Sequence, residues 1–250
     1  MKNFITKHRL ISIAGILLLF LVWKIISLFA GSEQIFPSPG RTLLAVFHVF
    51  GRDGFWPSLM LTISRGLSGF FISLIMAFLI GIPAGINRSV YLLINPFMVA
   101  VRSTPVIALI LLAIIWLGNE RVAVFIAVLT MFPIMATNII DGIRHVDKSL
   151  IEMGKIYGIK RGRMIREIYI PSILPFTISG ISTALGFGWR AIIIGEVISQ
   201  PRYGIGTQMQ NAQIYLQVSE LIAWTLIAIV ISYMFEGIVR LIEKRIIIWK

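Results

Sequence analysis

The chain has 250 residues, 57% of them hydrophobic and 14% charged, with a mean hydropathy of +0.89. A water-soluble domain carries about 25% charged residues, so this composition excludes an ordinary soluble protein and describes a polytopic membrane domain. The lack of cysteine excludes disulfides and thiolate metal sites, and the net charge of +12 is spread over loops, with no basic stripe interleaved with aromatics to suggest nucleic acid.

The basic start, Met1–Arg9, precedes Leu10–Phe29, an apolar run long enough to span a bilayer and too long for a typical signal-peptide core. Gly31–Pro57 reads as a loop punctuated by Pro37, Pro39, Gly40, Gly51 and Gly54, with Arg41–Phe50 as a short interfacial helix. Ser58–Ile86 is a second span, and Gly81 and Gly85 have the spacing that lets two membrane helices approach closely. After a polar turn at Asn87–Ser89 comes Tyr91–Leu117, which Pro96 and Pro105 divide into an interfacial piece and a third span. A tight turn is expected at Gly118–Arg121, then a fourth span at Val122–Ile140 with Pro133 inside it. Ser172–Ile194 is the fifth span. Gly195–Gln217 is polar and carries Gly204-Ile205-Gly206, and Ser219–Ile238 is the sixth span before a basic tail at Arg240–Lys250. The expected division is therefore residues 1–34 for the first span and its flanks, 35–57 for an outer loop, 58–240 for a five-helix core and 241–250 for the tail.

The longest polar stretch lies between the fourth and fifth spans, within 141–171. Lys148–Pro171 reads KSLIEMGKIYGIKRGRMIREIYIP. Leu150, Met153 and Tyr157 recur at helical spacing, which gives one apolar face, while Lys148, Glu152 and Lys155 fall elsewhere. Ser149 and Glu152 have capping-box spacing, with Asp147 as a competing cap. Gly158 turns the chain, a second short helix carries Met164, Ile165 and Ile168 along one side, and Pro171 marks its end. Helices this short are marginal alone in water, so the pair needs a surface to dock on. Lipid headgroups are one such surface, and a partner protein is another.

Lys and Arg residues fix the orientation. With the first residues inside, the inner segments hold fifteen and the outer segments four, while Lys24, Arg65, Arg102 and Arg190 fall within spans. Both termini and the Lys148–Pro171 loop are expected in the cytoplasm. No phosphate-binding GxxxxGK[ST] sequence, HExxH or nucleophile elbow is present, so the chain is not expected to be an enzyme or to hydrolyse ATP itself. His8, His48 and His145 are scattered over three segments.

Glu152-Met153-Gly154, then Gly158, then Ile168, Ile170 and Pro171 resemble the EAA motif of the inner-membrane permeases of ATP-binding-cassette (ABC) importers. Met153 and Gly154 replace the two alanines, and Ile170 replaces a leucine. Further pieces follow in the same order: Pro37-Ser38-Pro39, Ser58-Leu59 with Arg65 and Gly69, Gly81-Ile82-Pro83-Ala84-Gly85, Arg102-Ser103-Thr104-Pro105, Ile115-Trp116-Leu117-Gly118, Phe132-Pro133-Ile134, Gly188-Trp189-Arg190, Gly195-Glu196 and Gly204-Ile205-Gly206. Together they are similar to the nitrate/sulfonate/taurine branch of those permeases. The resemblance implies an all-α membrane protein of six helices with the type I importer (MetI-like) permease fold. It also implies a homodimer, two ATPase subunits that bind the ATP and Mg, and a periplasmic or lipid-anchored substrate-binding protein. The permease itself needs no cofactor, and it sits among membrane lipids as a multi-pass inner-membrane protein. In such permeases the loop inserts into a cleft of the ATPase subunit, which here assigns Glu152, Met153, Gly154, Tyr157, Gly158, Ile159, Lys160 and Arg161 to that contact.

Ionisable groups inside a membrane are costly and face cavities or partners. Arg65, Arg102, Arg190 and Glu196 are accordingly candidates for the path, with Ser103, Thr104 and Trp189 beside them; Arg190 and Glu196 serve packing, pairing or a gate as the alternative. Guanidinium groups suit sulfonate, nitrate or carboxylate, so the expected solute is anionic or zwitterionic, such as a sulfonate, taurine or nitrate. The rival reading is a secondary carrier or channel without an ATPase, which has no reason to keep the EAA spacing.

Overall fold

The computed structural model describes residues 2–246, with the side chains of residues 2–13, 16, 161, 242–244 and 246 outside that description. All its regular elements are helices: α1 (Lys2–Phe29), α2 (Pro39–Phe50), α3 (Phe55–Ile86), α4 (Arg88–Ser103), α5 (Val106–Leu117), α6 (Asn119–Arg144), α7 (Lys148–Ile156), α8 (Arg161–Met164), a π turn (Ile165–Tyr169), α9 (Ile170–Ser199), α10 (Ile205–Ile214) and α11 (Val218–Ile246). Four stretches are long and apolar enough to cross a membrane: Phe55–Ile86, Asn119–Arg144, Gly162–Ser199 and Val218–Leu241. The pair α4 and α5, bent by 99°, forms a fifth if taken as one broken span. The expected first span, Leu10–Phe29, lies partly outside the described side chains; from Leu17 onward α1 is apolar and largely exposed.

The bundle is built around α6, which packs between α3 and α9. Ala123, Ala127, Met131, Phe132, Ala136 and Ile139 are buried along it. Small residues let the neighbouring backbones come close. A Cβ on Gly81 would sit 3.2 Å from Ile139 Cγ2, and one on Gly85 would sit 2.7 Å from Ile143 Cδ1, so the glycine pair of α3 marks the α3–α6 seam as its spacing predicts. A second core joins Phe55, Trp189, Ile205 and Trp224 and ties α2, α9, α10 and α11 together. Helix α1 stays at the edge and touches α2, with the Trp23 indole N–H donating to the Pro37 carbonyl at 3.1 Å. Chain direction sets two ends. Ile86, Arg144 and Ile170 lie at the end that carries α7, here the loop end; Phe55, Asn119 and Ser199 lie at the opposite end.

Several boundaries differ from the sequence reading. Pro96 lies inside α4 and does not divide it; the break falls at Thr104-Pro105, because proline holds the residue before it extended, at φ −75° and ψ 131°. The expected turn at Gly118–Arg121 shrinks to Gly118, at φ +71°, and α6 begins at Asn119 with Glu120 in its first turn, where a carboxylate suits the helix dipole. Pro171 does not end a helix. The π turn widens the backbone just before it, relieving the clash its ring would make with the preceding turn, so α8, the π turn and α9 run on as one 38-residue helix, Gly162–Ser199, that contains an apolar span. The polar segment Gly195–Gln217 holds the end of α9 and all of α10. The expected tail from Arg240 continues α11 to Ile246.

Candidate functional site

At the loop end, Asp147 wins the competition for the α7 cap. Its Oδ1 accepts from the Ser149 N–H at 2.8 Å and the Ser149 hydroxyl at 2.7 Å, and these bonds hold its carboxyl below its ordinary value. Helix α7 closes on Gly158. The Ile159 N–H bonds to the Gly154 carbonyl at 2.9 Å, and the Gly158 N–H bonds to the Lys155 carbonyl at 3.0 Å. These are the paired bonds of a Schellman ending, with Gly158 at φ +65° in the left-handed region. Gly154 does not face outward as the resemblance implied. It is buried against Met164 and Ile168, where a Cβ would lie 3.3 and 3.4 Å from side-chain atoms, so it seals α7 onto the helical turns that follow. Ile159 is half-buried beside it. The outer face carries Glu152, Met153, Lys155 and Lys160, all exposed, with Ile156 82% and Tyr157 77% exposed. The side chain of Arg161 lies outside the described residues. Leu150, Met153, Ile156 and Tyr157 thus form an uncovered apolar stripe on a nine-residue helix.

At the opposite end, Glu196 is fully buried. Its carboxylate accepts from Arg65 Nη1 at 2.8 Å, from the Gly206 N–H at 3.0 Å and from the Thr62 hydroxyl at 2.9 Å. The same hydroxyl accepts from the Ile205 N–H at 2.9 Å. Arg65, 6% exposed, also donates to the Tyr203 carbonyl and to Glu120 Oε2, each at 2.6 Å. Glu120 Oε1 in turn accepts from the Arg202 N–H at 2.7 Å. Glu196 therefore caps the start of α10 while one guanidinium ties together α3, α6, α9 and the turn before α10. A Cβ on Gly204 would lie 2.7 Å from Glu196 Cδ, so only glycine lets this backbone cover the carboxylate. Arg65 and Glu196 are a structural clamp rather than open path residues. Trp189 is likewise interior: it is buried, its N–H donates to the Ala228 carbonyl at 3.1 Å, and its ring lies tilted against Phe235, with centroids 5.6 Å apart. Glu120 was missed because sequence alone placed it in a turn with nothing to link it to Arg65.

Arg102 is exposed at mid-height on the side of the bundle. Its Nη2 donates to the Pro133 carbonyl at 2.6 Å and to the Thr137 hydroxyl. Pro133 lies 14 residues into the 26-residue α6, which puts the guanidinium near mid-depth at about 1.5 Å rise per residue. A cleft of about 540 Å³ opens there, lined by Arg102, Thr104, Thr130, Thr137, Asn138 and Thr183 among its polar groups. Ser103 is exposed beside this cleft but does not line it. Arg190 is exposed on α9, on one helical stripe with Ser179, Thr183, Phe187 and Ile194. Ion pairs among the described residues engage Arg41, Arg52, Arg65, Arg163 and Arg240; no described carboxylate pairs with Arg102 or Arg190. Among the described residues no cluster could hold a metal ion.

The model of binding-protein-dependent transport system inner membrane components matches residues 69–248. The chain belongs to this family. It is similar to an aliphatic sulfonates transport permease protein of Bacillus subtilis, 27% identical over 92% of this chain and 83% of that one. A taurine transport system permease protein of Escherichia coli is 24% identical over 93% of this chain and 86% of its own, and a bicarbonate transport system permease protein of Synechococcus elongatus is 24% identical over 96% and 87%. Among solved structures, an inward-facing form of the MetNI methionine ABC transporter superposes with a TM-score of 0.53 at 18% identity, covering 74% of this chain and 97% of that one; this likeness shows the fold. The chain is thus a non-catalytic, multi-pass inner-membrane permease subunit of an ABC importer, a member of a system that works with ATPase and binding-protein partners. A stand-alone carrier or channel is not favoured.

Proposed function

We propose that two copies of this permease form the path for a small anionic or zwitterionic solute, a sulfonate, taurine or an inorganic oxyanion, and that Arg102 binds it in transit. The observation that carries the reading is the Arg102 cleft. A guanidinium at mid-depth has only neutral acceptors among the described residues, and hydroxyls and an amide surround it. An anion there gains a charge-assisted contact that a neutral solute does not. The names of the sulfonate, taurine and bicarbonate relatives point the same way. Arg190 supports the second copy: an unpaired guanidinium on a stripe with Ser179 and Thr183 is too costly to leave against acyl chains, so a partner protomer covers that face and a polar seam forms between them.

In this reading both termini and α7 are cytoplasmic, and the binding protein delivers solute at the Arg65–Glu196 end. The stripe of Leu150, Met153, Ile156 and Tyr157 docks in the ATPase subunit, which binds ATP and Mg. ATP-driven closure moves the docked loop, and the continuous helix from Gly162 to Ser199 carries the motion into the bundle. The test is uptake by proteoliposomes holding the permease, its ATPase subunit and its binding protein. Taurine or an alkanesulfonate should be transported and Arg102→Ala should abolish uptake with the complex intact. Normal uptake by that variant, or transport of neutral solutes alone, would overturn the reading.

A further inference from the structure

A second cationic site lies at the loop end, where α3 turns into α4 beside the end of α6. Tyr91 lies beside two arginines. The Arg144 guanidinium carbon is 3.9 Å from the ring centroid and that of Arg88 is 5.4 Å, so both charges lie close to one aromatic ring. Neither is in an ion pair among the described residues. Arg144 donates to the Ala84 carbonyl at 3.3 Å, a neutral acceptor. Asp141, one turn earlier on α6, makes no ion pair with it, and neighbouring His145 is turned away onto the Asp141 carbonyl and the Phe176 ring. Arg88 is also the first residue of α4, whose first turn holds no acid, so its charge opposes the positive end of the helix dipole. Two exposed guanidiniums and a helix start, converging without a carboxylate, repel one another unless an anion lies between them.

The surroundings specify which anion. Ile86 at the end of α3 and Leu92, one turn along α4 from Arg88, are both exposed and apolar, and both adjoin membrane-spanning stretches. Charge next to apolar surface at a membrane boundary matches an amphiphile. We propose that Arg88, Tyr91 and Arg144 bind the phosphodiester headgroup of an anionic phospholipid, with its acyl chains along Ile86 and Leu92. A basic pocket between membrane helices is suited to such headgroups. The lipid would brace the α3–α4 turn against α6 immediately before α7.

The shared chemistry is a phosphate oxyanion, which a free phosphate could also supply, so the experiment separates the sources. The permease, purified with its ATPase subunit in mild detergent, is titrated with phosphatidylglycerol or phosphatidylcholine, and retained lipid is counted by native mass spectrometry. The expected result is one phosphatidylglycerol per permease chain in excess of the Arg88→Gln/Arg144→Gln variant, whose affinity falls roughly 30-fold. Tyr91→Phe keeps the aromatic surface and retains the lipid. Millimolar inorganic phosphate leaves it bound. Equal retention by the double variant, equal retention of phosphatidylcholine, or displacement by inorganic phosphate would each overturn the proposal. If the double variant does not assemble, a photoactivatable phosphatidylglycerol applied to the unmodified complex decides: labelling of the Arg88–Leu92 segment supports the site, and labelling confined to other segments overturns it.

Discussion

Replacing Gly158 by valine tests whether the geometry of the α7 turn, rather than its composition, carries coupling. Gly158 sits at φ +65° and closes the helix through the bonds from Ile159 to Gly154 and from Gly158 to Lys155. An L-residue in this region costs about 1–2 kcal/mol, and a β-branched one more. Nothing lies within 4 Å of a Cβ at this position, so within the chain the penalty is conformational and not steric. A loss of 1–2 kcal/mol lowers the population of the closed turn roughly 5- to 30-fold. The expected outcome for Gly158→Val is normal membrane insertion, less ATPase subunit co-purifying with a tagged permease, and fewer solute molecules imported per ATP hydrolysed. Gly158→Asn is the control, because asparagine tolerates the left-handed region, and it should stay near wild type although it adds a side chain. Wild-type coupling in the valine variant would refute the reasoning. Equal damage in both variants would show that bulk against the partner matters and the turn does not.

Arg65→Met leaves Glu196 buried with its charge partner gone, a change that costs about 3–5 kcal/mol; the detergent-purified protein should melt on the order of 10 °C lower, and an unchanged midpoint would remove the clamp from the account. Gly204→Val should act through the same place, by pushing the backbone off the Glu196 carboxylate, with a lower midpoint that Arg102→Ala does not share. Arg102→Lys should keep partial uptake where Arg102→Ala keeps none, because a point charge replaces the fork but not its geometry; near-normal rates in both would leave Arg102 without a role in binding. Asp147→Ala should loosen the first turn of α7, read as greater mobility of a spin label at Lys155, and Asp147→Asn, which keeps an acceptor but loses the charge, should loosen it less. The Asp147 carboxyl lies below its ordinary value, so its contribution is complete above the ordinary carboxylate range and fades as pH falls through the depressed value; a label equally mobile at neutral and strongly acid pH contradicts this.

Much of the bundle was legible because membrane helices announce themselves by apolar length, and the α3–α6 seam because Gly81 and Gly85 sit one turn apart. The interfacial helix α2 was legible too: the expected Arg41–Phe50 starts two residues late, since Ser38 caps the helix by accepting from the Arg41 N–H. Helix α10 was not. The composition of Ile205–Ile214 is that of a loop, and its fixed place depends on Glu196 capping it and on Thr62, 143 residues from Ile205. The same holds for the assignment of Arg65 and Glu196. Sequence identifies them as costly charges in apolar surroundings, but only the contact across 131 residues shows that each satisfies the other. Gly154 was assigned to the partner contact by the resemblance alone; its burial depends on Met164 and Ile168 packing over it from the helical turns that follow Gly158, and nothing local in the sequence signals that packing.

The central claim is that the exposed stripe of α7 docks on an ATPase subunit. A photo-crosslinking amino acid in place of Tyr157, the exposed aromatic at the end of that stripe, tests it in intact cells expressing the permease with its ATPase subunit. The account predicts a crosslinked species of the permease and the ATPase subunit that disappears when the same group is placed at the buried Ile140 on α6. A crosslink from position 157 to lipid alone, with no ATPase subunit captured, would contradict it.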